Sequence, residues 1–300
     1  HRIDAGRSHI GRRRIVTIVF GLLSAFSYGY ADFVGALAAK RIRAVAATTY
    51  SFTVGLVLAI VFSLFIGAEY SAQTIQAGAL AGIAAAVALS CLYAGLAIGP
   101  ISIVSPLTAV ISAIIPVLVD VASGQELSNF VVIAVVLILI AVVLVGFVPG
   151  QNVKLPSPLA LAYSVGAGLG FSGIFLFLDS AAADSGLAVL VVMKAVGLVL
   201  LIGGLFVLWL RAPKKAFIER IADYKLAGLL LLAGLGDVLG NVTFLVATRS
   251  GALAVAAVLT ALYPVGTILL ARVFLKERIA LSQGAGIVLA LGACALLAIG

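Results

Sequence analysis

The sequence predicts an all-α integral membrane protein with ten transmembrane helices, arranged as two inverted five-helix repeats around a central cavity. Three observations carry that expectation. Hydrophobic residues fill 64% of the 300 positions and charged residues only 10%, with a mean hydropathy of +1.29, whereas a soluble domain carries roughly a quarter charged residues. The apolar residues fall into ten blocks, each near the length of about 20 residues that a helix needs to cross a hydrocarbon core of roughly 30 Å. A Pro/Gly-rich segment from Pro149 to Pro158 divides those blocks five and five.

Helices follow from the block length, because the strands of a membrane barrel show only about ten residues of alternating polarity. Breaking the chain at charges and at Pro and Gly clusters gives spans near 14–38, 44–67, 75–97, 100–119, 128–148, 157–179, 186–210, 225–247, 251–273 and 281–299. The units are a polar, basic N-terminal tail over 1–13, a first five-helix repeat over 14–148, a linker over 149–157 and a second five-helix repeat over 158–300. Arg12, Arg13 and Arg14 precede the first block as in a signal peptide, but that block is too long for one and further spans follow, so it reads as a retained helix.

A net charge of +8 in a soluble protein would suggest nucleic acid. Here the cations lie in the tail and the loops, where membrane topology and anionic lipid head groups account for them, and no nucleic-acid partner is expected. Lys40, Arg41 and Arg43, then Arg211, Lys214, Lys215, Arg220 and Lys225, then Arg272, Lys276 and Arg278 occupy loops that ten spans put on one side. By loop count the positive-inside rule favours that side as cytoplasmic, but the arginine cluster at 12–14 then falls opposite, and since the first helix often dominates, both orientations stay open. The stretch from Arg211 to Lys225 groups Phe217, Ile218 and Ile221 among basic residues, as in a short helix lying in the interface. Cys91 and Cys294 sit in different apolar blocks and read as packing residues. With both histidines, His1 and His9, in the tail and no Walker, HExxH or Cys/His cluster, neither an enzyme nor a cofactor is expected.

The repeat rests on residues that hydrophobicity does not dictate. Gly99 and Gly251 each begin a tight turn, and eight residues later come Leu107-Thr108-Ala109 and Leu259-Thr260-Ala261. A weaker match sets Phe26-Ser27 of the first span against Phe171-Ser172 of the sixth. Five crossings per unit force the second copy to enter from the opposite side, so the repeats are inverted, which is the plan of many secondary transporters with a midplane substrate site.

The stretch from Gly251 through Thr260, Tyr263, Pro264 and Thr267 to Glu277-Arg278, followed by a Gly-spaced last span, resembles the closing segment of EamA-type members of the drug/metabolite transporter superfamily. Two departures from that pattern are Gln125-Glu126-Leu127 where a Glu-Arg pair is typical, and the lack of an arginine at the start of the second span. The resemblance implies a helical basket in a bacterial inner (plasma) membrane that exports amino acids or related small metabolites. Drug or sugar-derivative transport on the same fold is the alternative. A non-transporting scaffold or receptor is the alternative from another class.

Polar residues within spans are the candidate site. Asp237, Asn241, Phe244 and Thr248 share one stripe of the eighth span, and an ionisable group there marks function by default. Asp237 is read either as substrate- or proton-binding or as the structural partner of Lys194, and Lys194 as facing the cavity or snorkelling to the interface. Asp32, the other candidate for ion coupling, is close enough in sequence to Lys40 and Arg41 for an interfacial pairing. Ser105 and Thr108 on the fourth span and Thr260 and Thr267 on the ninth form matched hydroxyl stripes. Tyr28, Tyr93, Phe171, Ser172 and Tyr263 complete the expected substrate-binding wall. Pro264 frees carbonyls near the middle of its span and is the expected kink or gate. The expected partners are thus a small polar solute and membrane lipid, with proton coupling and uncoupled facilitated movement as equal alternatives.

Overall fold

The computed structural model describes residues 2–99, 101–125, 127–146, 156–211, 223–275 and 280–299. Eleven α-helices account for the described chain, without a β-strand: α1 (Arg2–Ala39), α2 (Ala44–Ile66), α3 (Ala72–Ile98), α4 (Ile101–Ala122), α5 (Asn129–Gly146), α6 (Pro158–Asp179), α7 (Ala188–Arg211), α8 (Tyr224–Ser250), α9 (Leu253–Thr260), α10 (Tyr263–Leu275) and α11 (Leu281–Ile299). Helices α9 and α10 together form one crossing, so ten crossings result. Eight are long and apolar enough to span by length and composition. The two shorter ones, α5 and α11, have 18 and 19 residues, or roughly 27 Å at 1.5 Å per residue, which still matches a hydrocarbon core of about 30 Å.

Local chemistry sets the helix ends. Ser157 accepts a hydrogen bond from the Ala160 amide at 3.2 Å and Pro158 occupies the first helical turn, where its missing N–H costs nothing. The break between α9 and α10 has an equally local cause. Pro264 cannot donate to the Thr260 carbonyl and its ring crowds it, and the chain instead tightens, with the Leu262 amide bonding the Leu259 carbonyl at 3.1 Å.

The two units interlock with a pseudo-two-fold pattern. The first helix of each packs on the third helix of the other, α1 on α8 and α6 on α3, while α2 meets α7, α4 meets α9 and α5 meets α11. Small residues allow the closest of these approaches: a Cβ on Gly240 would stand 2.9 Å from the Tyr28 ring, and one on Gly170 would stand 2.8 Å from Ala88. Large apolar side chains such as Leu64, Phe65 and Leu281 point outward, as lipid requires, because hydrocarbon tails are as apolar as they are.

Two expectations need correction. Phe26 and Phe171 do not occupy matching environments: Phe26 is 54% exposed towards lipid and Phe171 only 3%, so the shared Phe-Ser pair aligns an outward face with an inward one. Asp32 does not pair at the interface. Eight residues of helix separate it from Lys40, roughly 12 Å of rise, and the Arg41 guanidinium instead binds Asp223 at 3.2 Å. Within the expected interfacial helix, residues 212–222 lie outside the described residues.

Candidate functional site

The seam between the units is where the inward polar residues converge. In α8, one face presents Asp237, Asn241, Phe244 and Thr248, all buried. The Lys194 ammonium, projecting from α7, forms a salt bridge with Asp237 Oδ2 and lies 4.3 Å from the centre of the Phe52 ring on α2. Lys194 is 1% exposed, so it does not snorkel. Its long apolar stem crosses beside Gly55, where an added Cβ would stand 3.3 Å from the stem carbons.

The rest of Asp237 is also engaged. Asn241 Nδ2 donates to the Asp237 carbonyl at 2.7 Å and to Oδ1 at 3.3 Å. The Tyr28 hydroxyl of α1 donates to Asn241 Oδ1 at 2.8 Å, and one turn earlier Ser24 donates to the Gly240 carbonyl at 2.9 Å. A relay of four side chains, Tyr28, Asn241, Asp237 and Lys194, therefore ties both units together with every charge matched. Such a pair is retained only where its hydrogen bonds are complete, because desolvating two ions costs several kcal/mol each (order of magnitude).

Asp32 contrasts with this. It is 4% exposed and its Oδ2 has no hydrogen-bond partner among the described residues. Near it stands Tyr93 of α3, whose hydroxyl fills the space a Cβ on Gly35 would take and reaches towards Ser51 of α2. Two hydroxyls of the expected matched stripes, Ser105 of α4 and Thr260 of α9, also make no direct hydrogen bond among the described residues, though Ser105 lies near the Tyr263 side chain. Between them the Tyr263 hydroxyl donates to the Ser105 carbonyl at 3.2 Å. Thr108 and Ser172 are satisfied across the α4–α6 contact, by the Ser164 carbonyl at 3.2 Å and the Ile111 carbonyl at 3.2 Å. Thr267 donates to the Gly29 carbonyl of α1 at 3.1 Å.

Aromatic rings fill the place where the central cavity is expected. Phe171 of α6 lies edge-on to Tyr28 at 6.0 Å and beside Tyr263 at 6.2 Å, and Phe175 stacks on Phe244 at 4.4 Å. These rings come from α1, α6, α8 and α10, so the seam is closed in this conformation by residues of both units. At the end of the bundle away from Lys40 the closure is also polar. Asp120 accepts the first α9 amides through Ala254 at 2.7 Å, Thr248 donates to Asp179, and Arg249 donates to the carbonyls of Ala182 and Gly186 at 3.3 Å each.

Ser51, Phe52 and Phe175 were not among the expected site residues. A signal for the first two exists, since Thr48, Ser51, Phe52, Gly55 and Ala59 lie on one buried stripe of α2. Phe175 carries none, being one phenylalanine among several in an apolar block.

Comparison with known proteins fits this geometry. A solved crystal structure superposes with a TM-score of 0.71 over 93% of this chain and 95% of that chain, at 13% identity, which establishes a shared fold. No curated protein sequence matches. The model of the EamA-like transporter family matches twice, over residues 15–147 and 158–299, one match for each five-crossing unit. The chain is therefore a membrane protein of the EamA-like transporter family, within the drug/metabolite transporter superfamily.

Proposed function

We propose that the chain exports small polar metabolites, amino acids foremost, by alternating access through the seam between its two units. The observation that carries this reading is a set of buried oxygens that make no direct hydrogen bond among the described residues, Asp32 Oδ2 and Thr260 Oγ1, with Ser51 Oγ near the Tyr93 hydroxyl and Ser105 Oγ near that of Tyr263, in a seam closed by rings. An unpartnered buried polar atom costs about 1–3 kcal/mol, and folded proteins keep few of them. Oxygens that a passing ammonium, carboxylate or water would satisfy are accounted for in a conduit and are a pure cost in a scaffold. The closed rings correspond to an occluded state, and the break before Pro264 supplies a hinge in the wall, with the Thr260 hydroxyl beside it.

The coupling role falls to Asp32. Asp237 is already neutralised by Lys194, so it has no need of a proton in the closed state, whereas Asp32 has no counter-ion among the described residues. A closed seam alone would also suit a non-transporting scaffold. The two readings separate in proteoliposomes loaded with labelled amino acids. Replacing Ser105 by Ala and Thr260 by Val removes two buried hydroxyls that make no direct hydrogen bond among the described residues, so the variant folds with stability close to the parent while its flux falls several-fold. Unchanged flux in that variant, or no flux in the parent above empty liposomes, contradicts the proposal.

A further inference from the structure

At the end of the bundle that carries Lys40, a groove of about 540 Å³ opens between α1 and α8, bordered by Leu37, Lys40, Arg41, Lys225, Leu229 and Leu232 and floored by Gly228. Its chemistry is layered. Just past the end of α1, Lys40 sits one turn beyond Leu37, and on α8, Lys225 sits one turn before Gly228 and Leu229, with Leu232 a further turn in. Cations thus ring the mouth and leucines line the depth. Arg41 is held by Asp223 and Lys225 lies over the Tyr224 ring at 6.0 Å, which leaves Lys40 with no counter-ion among the described residues.

Gly228 adds an independent observation. Elsewhere in α8, glycines make room for a neighbouring helix: a Cβ on Gly234 would meet Val54 at 2.7 Å and one on Gly236 the Ser27 carbonyl at 3.0 Å. A Cβ on Gly228 meets no described atom within 4 Å. The absence of a side chain there serves no contact within the described protein, and it keeps the groove deep.

We infer that this groove binds one anionic glycerophospholipid, its phosphodiester between Lys40 and Lys225 and an acyl chain along Leu37, Leu229 and Leu232. Basic pockets between transmembrane helices at a membrane surface recognise such head groups, and each lysine near the surface strengthens binding about fivefold. The layering of charge over hydrocarbon matches a phospholipid and suits neither a free anion, which has no use for the leucines, nor a zwitterionic lipid, whose choline would face the lysines. Because α1 and α8 belong to different units, a lipid here bridges the seam.

The test is native mass spectrometry of the full-length protein in detergent, titrated with phosphatidylglycerol, phosphatidylcholine or inorganic phosphate. Phosphatidylglycerol is expected to bind more tightly than phosphatidylcholine, with the advantage shrinking as salt rises. Lys40→Gln with Lys225→Gln removes that advantage, about 25-fold in affinity. Gly228→Trp fills the groove and weakens binding of phosphatidylglycerol with both lysines intact. Equal binding of the two lipids, a preference that survives the double variant, or uptake indifferent to Gly228→Trp overturns the inference. Displacement of phosphatidylglycerol by millimolar inorganic phosphate would also overturn it, by making the groove a free-anion site.

Discussion

Asp237 and Asp32 are buried to nearly the same degree, 2% and 4% exposed, in helices α8 and α1 that pack on each other across the two units. They lie within electrostatic reach of each other, yet their direct partners differ. Both oxygens of Asp237 are engaged, one by the Lys194 ammonium and one by Asn241, while Asp32 keeps one oxygen without a hydrogen-bond partner among the described residues. Burial alone therefore does not identify the working carboxylate. A buried charge with a matched partner holds helices in register, and a buried charge without one is stable only if something arrives to neutralise it.

Removing the partner is the sharpest way to break this contrast. Asp237→Leu leaves the Lys194 ammonium uncompensated against Phe52 and is expected to cost about 3–5 kcal/mol, read by denaturant unfolding in detergent. Adding Lys194→Met should recover most of that loss. A single variant as stable as the parent would mean that the pair contributes nothing. Tyr28→Phe is next in size. It deletes the hydroxyl that donates to Asn241 and leaves that amide oxygen unsatisfied, a loss of about 1–3 kcal/mol, whereas an intact melting temperature would show that the relay stops at Asn241.

Asp32 should behave in the opposite way. Asp32→Asn replaces a charge that has no counter-ion among the described residues and is expected to leave stability within about 1 kcal/mol of the parent, or to raise it. A loss as large as that of Asp237→Leu would reveal a partner and erase the contrast. The smallest effect belongs to Arg41→Gln. Its pair with Asp223 is half exposed, 50% and 47% for the two side chains, so less than about 1 kcal/mol should disappear, and the loss should vanish at high salt.

Much of this was legible in the sequence and some was not, for physical reasons. The ten crossings were readable because lipid forces about 20 apolar residues per helix, and even α5 and α11 obey that rule. The Asp237–Asn241–Phe244–Thr248 stripe was readable because it depends only on helical periodicity. Whether Asp237 stands alone or pairs with Lys194 was left open, since that depends on how α7 packs on its neighbours. The isolation of Asp32 was misread for the same reason: closeness in sequence to Lys40 suggested a pairing that roughly 12 Å of helix rise forbids. The filling of the seam by rings from four helices, among them Phe175, is a property of tertiary packing that no local pattern announces.

Flux driven by a pH gradient across proteoliposomes tests the central claim most directly. The parent should move amino acid faster when the gradient opposes it less, Lys194→Met with Asp237→Leu should keep that response, and Asp32→Asn should exchange solute at a rate indifferent to the gradient. A parent that ignores the gradient, or an Asp32→Asn variant that remains fully coupled, would contradict the account.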